Sequence, residues 1–400
     1  MSALTRLLPL PSDRMGVLWN LLAIQDSYVI EYGPAGTTHF GIGPLGQLKI
    51  QPRGRYFVTH MDEGDVVMGD SSRLERAVME IDRDHKPEHI FIVGSSISST
   101  IGTDLEGIVY YLQDQVQAQL HIFDSGGFKG DMLDGMADVY KSLAELVRES
   151  EVEAVPASEK SASYNILGAS PDHFRLSSDL NEIKRVLNEA YDLEAATTYV
   201  FGGKIQDFDR AAGAEFSLVL REAALPLAEA LKEKYDVPYL LVDFYGYQGC
   251  RSVLEAIEPI LGRSPNPEFM QELSERQSEI ALFQMSRRRM GKELKLYSVG
   301  TEEFNRGLSL AFAELGLEFA EQIEHVEPET ERLAKLAGWQ QGLVFADSES
   351  LHRMDPSNYG VLTSFPWLKR SQHAEHLPFM GVRGMDFLYE CLSNYIFQIV

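Results

Sequence analysis

Residues 89–113 read HIFIVGSSISSTIGTDLEGIVYYLQ, and their order decides the fold. Ile90 to Val93 are four uninterrupted apolar residues, the pattern of a strand buried on both faces. Gly94 to Thr100 form a small polar turn, and from Thr103 or Asp104 the apolar residues recur at helical spacing. The same order returns along the chain. It is found at LHIFDSGGFKGDMLDGMADVYKSLAELV (120–147), SYNILGASPDHF (163–174) with its helix SSDLNEIKRVLNEAY (177–191), and TYVFGGKIQD (198–207). Further copies are YLLVDFYGYQGCRSVLEAI (239–257), LKLYSVGTEEFNRGLSLAFAEL (294–315) and LVFADSESLHRM (343–354). Strands alternating with helices of this length imply α/β architecture, with parallel sheets flanked by helices.

RESEVEAVPASEKSAS (148–163) is polar and reads as a linker, and PEFMQELSERQSEIALFQMSRRRMGKE (267–293) as one charged helix entering a last unit near Leu294. Three Rossmann-like units are expected, over 1–155, 156–265 and 266–400, with a ligand cleft between them where Gly-rich turns follow the strands. The formal net charge of −24 argues against nucleic acid and anionic membrane as partners and favours a protein with a basic face. No run reaches the length of a membrane span, and MGVLWNLLAI (15–24) does not read as a signal peptide. Two cysteines give no disulfide framework, so a cytoplasmic location is expected.

GIGPLG (41–46) has the letters of a dinucleotide fingerprint but lacks a following helix and reads as a loop. No phosphate-binding Gly-Lys-Ser/Thr loop is present. His85 and His89 are split by Pro87. His373 and His376, with Glu375, fall before an apparent strand LPFMGV, as a metal pair or as surface histidines. Cys250, following YGYQG, is expected to open a helix whose dipole lowers its thiol pKa, or else to be a small buried residue. Cys391 lies on an apolar helix and reads as packing. Three small polar turns remain, at Thr37, at 94–100 and at 124–130. They are suited to capping helices or cradling an anion, or to turn chemistry alone.

The order YGPAGT (32–37), THMDEGDVVMGDSSRLERAV (59–78), IFIVGSSISSTIGTDLEGIV (90–109) and SGGFKGDMLDGM (125–136) resembles the nitrogenase component 1 family. That family holds catalytic nitrogenase subunits, their cofactor-assembly scaffold and dark-operative protochlorophyllide reductases. Its Gly-Pro-x-Gly-Cys turn matches 33–37, its E-x-D-I-V-F-G-G segment matches around Asp65, its I-G-D-D-I matches 101–105, and its C-E-G-F-x-G matches 125–130. Stretches 165–195, 233–257 and 293–318 resemble the family's second and third domains. The departures fall on ligands. Thr37 and Ser96 stand where cluster-ligating cysteines belong, and the N-terminal one would fall near Pro11 or Ser12. The cofactor-binding cysteine would fall in 267–279 and the histidine ligand in 378–387; neither stretch has one.

The resemblance implies a subunit of a nitrogenase-like, multi-subunit and oligomeric reductase, without a metal ligand of its own. Any iron–sulfur cluster or metallocofactor would sit in a partner or a shared site. Its partners would be a cysteine-bearing paralogue, or a second copy, and an ATP-dependent iron–sulfur reductase. The cluster-edge positions would be Gly33, Gly36, Thr37, Ser96, Ser125 and Gly127, and the cleft candidates Gly202, Gly246, Cys250 and Gly300. The alternative is a non-catalytic scaffold that binds or assembles a metallocofactor or tetrapyrrole.

Overall fold

The computed structural model describes residues 7, 10–46, 50–52, 54–173, 175–290, 293–364 and 377–399. The pair His373 and His376, with Glu375, lies outside them. The first sheet has β1 (Tyr28–Tyr32), β2 (Tyr56–Val58), β3 (His89–Gly94) and β4 (Gln119–Phe123) in the order β2-β1-β3-β4. The second has β5 (Ser163–Ala169), β6 (Glu194–Val200), β7 (Phe216–Val219) and β8 (Tyr239–Leu241) in the order β6-β5-β7-β8. The third has β9 (Lys295–Gly300), β10 (Glu321–Glu324), β11 (Gly342–Asp347) and β12 (Tyr359–Ser364) in the order β10-β9-β11-β12. Every strand pairing within them is parallel. Strands β3, β5 and β11 are buried along their whole length, which explains their unbroken apolar runs. In each sheet the chain steps outward once and then crosses back, so the direction reverses beside the first strand and leaves a crevice at the carboxyl ends.

Buried side chains interlock the units. The Tyr140 hydroxyl, from the helix Met132–Glu149 of the first, donates to the Tyr199 carbonyl at 2.9 Å and accepts from Gly168 N–H at 2.9 Å in the second. Asp179 of the second accepts from Phe379 and Met380 N–H at 2.6 and 2.8 Å, ahead of the helix Gly381–Ile399. These bonds occupy the amides a strand would use, so 378–380 is irregular rather than the strand that LPFMGV suggested.

Two local expectations also change. The Gly-Pro-x-Gly turn runs directly into a helix, Ala35–Ile42, and GIGPLG closes it with a short 3-10 turn, Gly43–Gly46. A short helix, Ser96–Thr100, precedes the expected one at Leu105–Gln113, because the buried Ser95 hydroxyl accepts from Ser98 N–H.

Candidate functional site

The crest of the first unit brings most of the cluster-edge positions into contact with small residues. Gly33 passes so close to β3's end that an added Cβ would lie 2.4 Å from the Ser95 Cβ. Gly127 (φ 91°) packs against Ser12, the region where an N-terminal thiolate would fall. Ser125 is buried, and Ser96 is half-buried at the start of its helix. Gly36 has nothing within 4 Å of an added Cβ, so its role is not packing. The Thr37 hydroxyl donates to the Pro34 carbonyl at 3.0 Å. Behind the crest, fully buried Glu31 takes hydrogen bonds from Arg14 and the Tyr56 hydroxyl. Asp13 has its carboxyl pushed up by burial, against the backbone amides of Arg14, Gly127 and Lys129.

An iron–sulfur cluster requires soft anionic sulfur. Cys250 and Cys391 both lie in the core shared by the second and third units, away from this crest. Cys250 is the fifth residue of the helix Gly246–Leu261 and fully buried. Burial drives its thiol well above the usual range, which corrects the expectation of a lowered pKa. Burial likewise pushes Cys391 up to about 12. The residues at the crest therefore do not supply what a thiolate-held cluster needs. Among the described residues, no group of three or more His, Cys, Asp or Glu is placed to hold a metal ion.

The cleft candidates are scattered, with two near misses. Gly202 (φ 83°) lies on a groove outside β6 and donates its N–H to Ala23. Gly246 (φ 77°) and the helix it opens meet Glu314, whose carboxylate accepts from Tyr247 and Gln248 N–H. Gly300, one residue before Thr301, and Gly246, one residue after Tyr245, flank lining residues of the cleft without lining it. The cleft itself, about 680 Å³ including its mouth, gathers strand ends from two sheets and Met132 from the first unit. Asp172 and His173 follow β5, Leu220 and Arg221 follow β7, Asp243 follows β8, and Thr301 and Glu303 follow β9. A second hollow of about 600 Å³ continues past Met132, Thr301 and His325 to Asp131 and Glu324.

Arg221, 7% exposed, is the centre of this cleft. It donates to both Asp172 oxygens at 2.7 and 2.8 Å and to Glu303 at 2.8 Å, tying the second unit to the third. Burial alone would raise the Asp172 carboxyl, but the Arg221 guanidinium outweighs it and holds it below the usual range. His173 Nε2 lies 2.8 Å from Asp179, and His325 Nε2 lies 3.6 Å from Asp347. Burial opposes ionisation of Asp347, yet the neighbouring His325 and the hydrogen bonds from Ser350 N–H and hydroxyl bring it down to about 2. Each histidine thus has a buried carboxylate near its Nε2. None of these charged residues was singled out from sequence. The available signal was a charged residue two or three positions past an apolar strand, as in GASPD, VLR and LLVD.

Three parallel four-stranded sheets, with a cleft between the second and third and a small-residue crest on the first, define a three-unit α/β class. The profile of nitrogenase component 1 type oxidoreductases matches residues 12–357, and the chain belongs to that family. It is 22% identical over 76% of its length to the nitrogenase iron-molybdenum cofactor biosynthesis protein NifE of Nostoc sp., covering 62% of that protein. It is 24% identical over 82% of its length to the nitrogenase molybdenum-iron protein alpha chain of Methanothermobacter thermautotrophicus, covering 72% of it. The chain spans about half to three-fifths of the length of several such relatives. A solved structure titled Nitrogenase Cp1 at pH 6.5 superposes with a TM-score of 0.70 at 18% identity, covering 100% of this chain and 95% of that one. Among the described residues no helix is long and apolar enough to cross a membrane.

Proposed function

We propose that this chain is the thiolate-free subunit of a nitrogenase-like reductase, paired through the crest of its first unit with a cysteine-bearing relative. The observation that carries the proposal is the apolar surface around that crest. Val67 and Met68 are each 80% exposed and Phe128 is 71% exposed, with Ile101 beside them in the sequence of crest turns. Val67 and Met68 end the helix Glu63–Met68, which is anchored at the crest by Met61 N–H donating to the Gly33 carbonyl at 3.1 Å. Ile101 and Phe128 follow β3 and β4. Exposed large apolar side chains beyond the carboxyl ends of strands of one sheet support an interaction surface there. Glu63, Asp104 and Asp124 are exposed in the same segments, with Asp124 paired to Lys129, and this acidic excess favours a basic partner face.

In this reading the crest closes one wall of a shared site whose sulfur ligands come from the partner, and an ATP-dependent iron–sulfur protein delivers electrons to the pair. Likeness to NifE supports a second reading, a carrier for a cofactor under assembly, in which the inter-unit cleft is the working part. Oxygen-free purification of the tagged chain with its co-expressed genomic neighbours tests the first. A cysteine-bearing relative is expected to copurify, and Val67→Asp with Met68→Asp is expected to release it. Copurification of no such relative overturns the pairing.

A further inference from the structure

We infer that the inter-unit cleft is built for a cationic or uncharged ligand and excludes anionic metal–sulfide cofactors and carboxylated tetrapyrroles. The inference concerns the cleft alone. It holds whether the chain acts as a reductase subunit or as a carrier, and it stands apart from the pairing of the first unit.

The grounds are the charges facing the space. Among the described residues lining the cleft and its adjoining hollow, the carboxylates are Asp172, Asp243, Glu303, Asp131, Glu302 and Glu324. Among the described lining residues there is one arginine, Arg221, and no lysine. That arginine is already committed to two carboxylates, so a bound anion would have to compete with Asp172 and Glu303 for it. The groups one layer back do not reverse the sign. Asp179 and Asp347 stand behind the histidines, against Arg175, Arg306 and Arg332. Arg306 pairs with Asp243 of the lining and with Glu222, so it offsets that one carboxylate and leaves the rest of the lining acidic. Metal–sulfide cofactors and tetrapyrroles with acid side chains carry net negative charge, and burying one here sets like charges together in a low dielectric. A cation finds carboxylates from both units. The His173 and His325 rings and the Thr363 hydroxyl supply hydrogen bonds to an uncharged body, and Phe304, Val242 and Met380 supply apolar walls.

The test uses three probes of one shape and different charge, benzamidine, benzamide and benzoate, titrated into the full chain carrying [13C]methyl-methionine. Met132 and Met380 line the cleft and report occupancy, while Met285, 55% exposed and not among the lining residues, is the control. Benzamidine is expected to shift Met132 and Met380 but not Met285, with an affinity at least about tenfold above benzamide and benzoate weakest, as the Coulomb term dictates. Asp243→Asn is expected to weaken benzamidine about threefold or more and to leave benzamide unchanged. Benzoate binding at the two cleft methionines as tightly as benzamidine overturns the inference. So does a benzamidine response that appears equally at Met285, or no cleft response to any of the three at tens of millimolar.

Discussion

Replacing Arg221 by methionine removes the cation that joins two units and leaves the Asp172 carboxylate without its main partner. The side chains of Arg221 and Asp172 are each 8% exposed, and Glu303 is 25% exposed. Glu303 can therefore turn to water, whereas Asp172 stays largely desolvated. Breaking a buried pair from one side costs about 3–5 kcal/mol, and most of it here falls on Asp172. The penalty should depend on pH in a definite sense. In the wild type the Asp172 carboxyl is held below its unfolded value, so its contribution is present above about pH 4 and is lost as pH falls through the folded pKa. In Arg221→Met the unpaired carboxyl titrates above its unfolded value, so the cost is greatest at pH 7 and shrinks as pH is lowered toward 4. Urea unfolding at pH 7 and at pH 4.5 measures both effects. Adding Asp172→Asn to Arg221→Met should recover about 2 kcal/mol, because the pair acts as one unit. A loss below about 1 kcal/mol at pH 7, or a double variant no more stable than the single one, would refute the role given to Arg221.

Gly33→Ala should destabilise by about 1–3 kcal/mol, since the new Cβ would overlap buried Ser95, while Gly36→Ala should change urea stability by less than about 0.5 kcal/mol. His89 and His121 sit on neighbouring strands with their ring nitrogens 3.0 Å apart; burial first, and His89 second, lowers His121 to about 4. Stability from His121 is complete above about pH 6.5 and lost as pH falls toward 4, so His121→Phe, beside stacked Phe91, should flatten the acid side of a stability–pH curve. An unchanged acid limb would contradict this. Burial raises Glu314 to about 7 despite the backbone amides it accepts from, so its contribution is complete below about pH 4.5 and lost as pH rises through 7. Glu314→Gln should remove a stability loss on the order of 2 kcal/mol, lessened by partial solvent exposure, between those pH values in urea titrations.

The alternation of strands and helices was legible because parallel strands covered on both faces cannot hide their apolar runs; β3, β5 and β11 are plain in the letters. The crest was legible for a related reason, since Gly33 and Gly127 answer to local geometry, one to close approach and one to positive φ. Of the two readings of Cys250 the buried one holds and the lowered thiol pKa fails, because its surroundings come from the distant helices Glu302–Glu314 and Gly381–Ile399, which no local pattern reports. The cleft was opaque for the same cause. Asp172, Arg221 and Glu303 are separated by 49 and 82 residues and become one hydrogen-bonded group only when two sheets turn their carboxyl ends toward each other. The expected glycines mark where strands end, whereas the charged side chains just beyond them line the space.

The most direct measurement is the iron and sulfide content of the lone chain, produced and purified without oxygen in cells supplied with both elements. Less than about a tenth of an iron atom per chain, with no absorption near 400 nm, is the outcome expected of a polypeptide whose crest offers hydroxyls in place of sulfur. A brown chain with stoichiometric iron, unchanged after Cys250→Ser and Cys391→Ser, would contradict it.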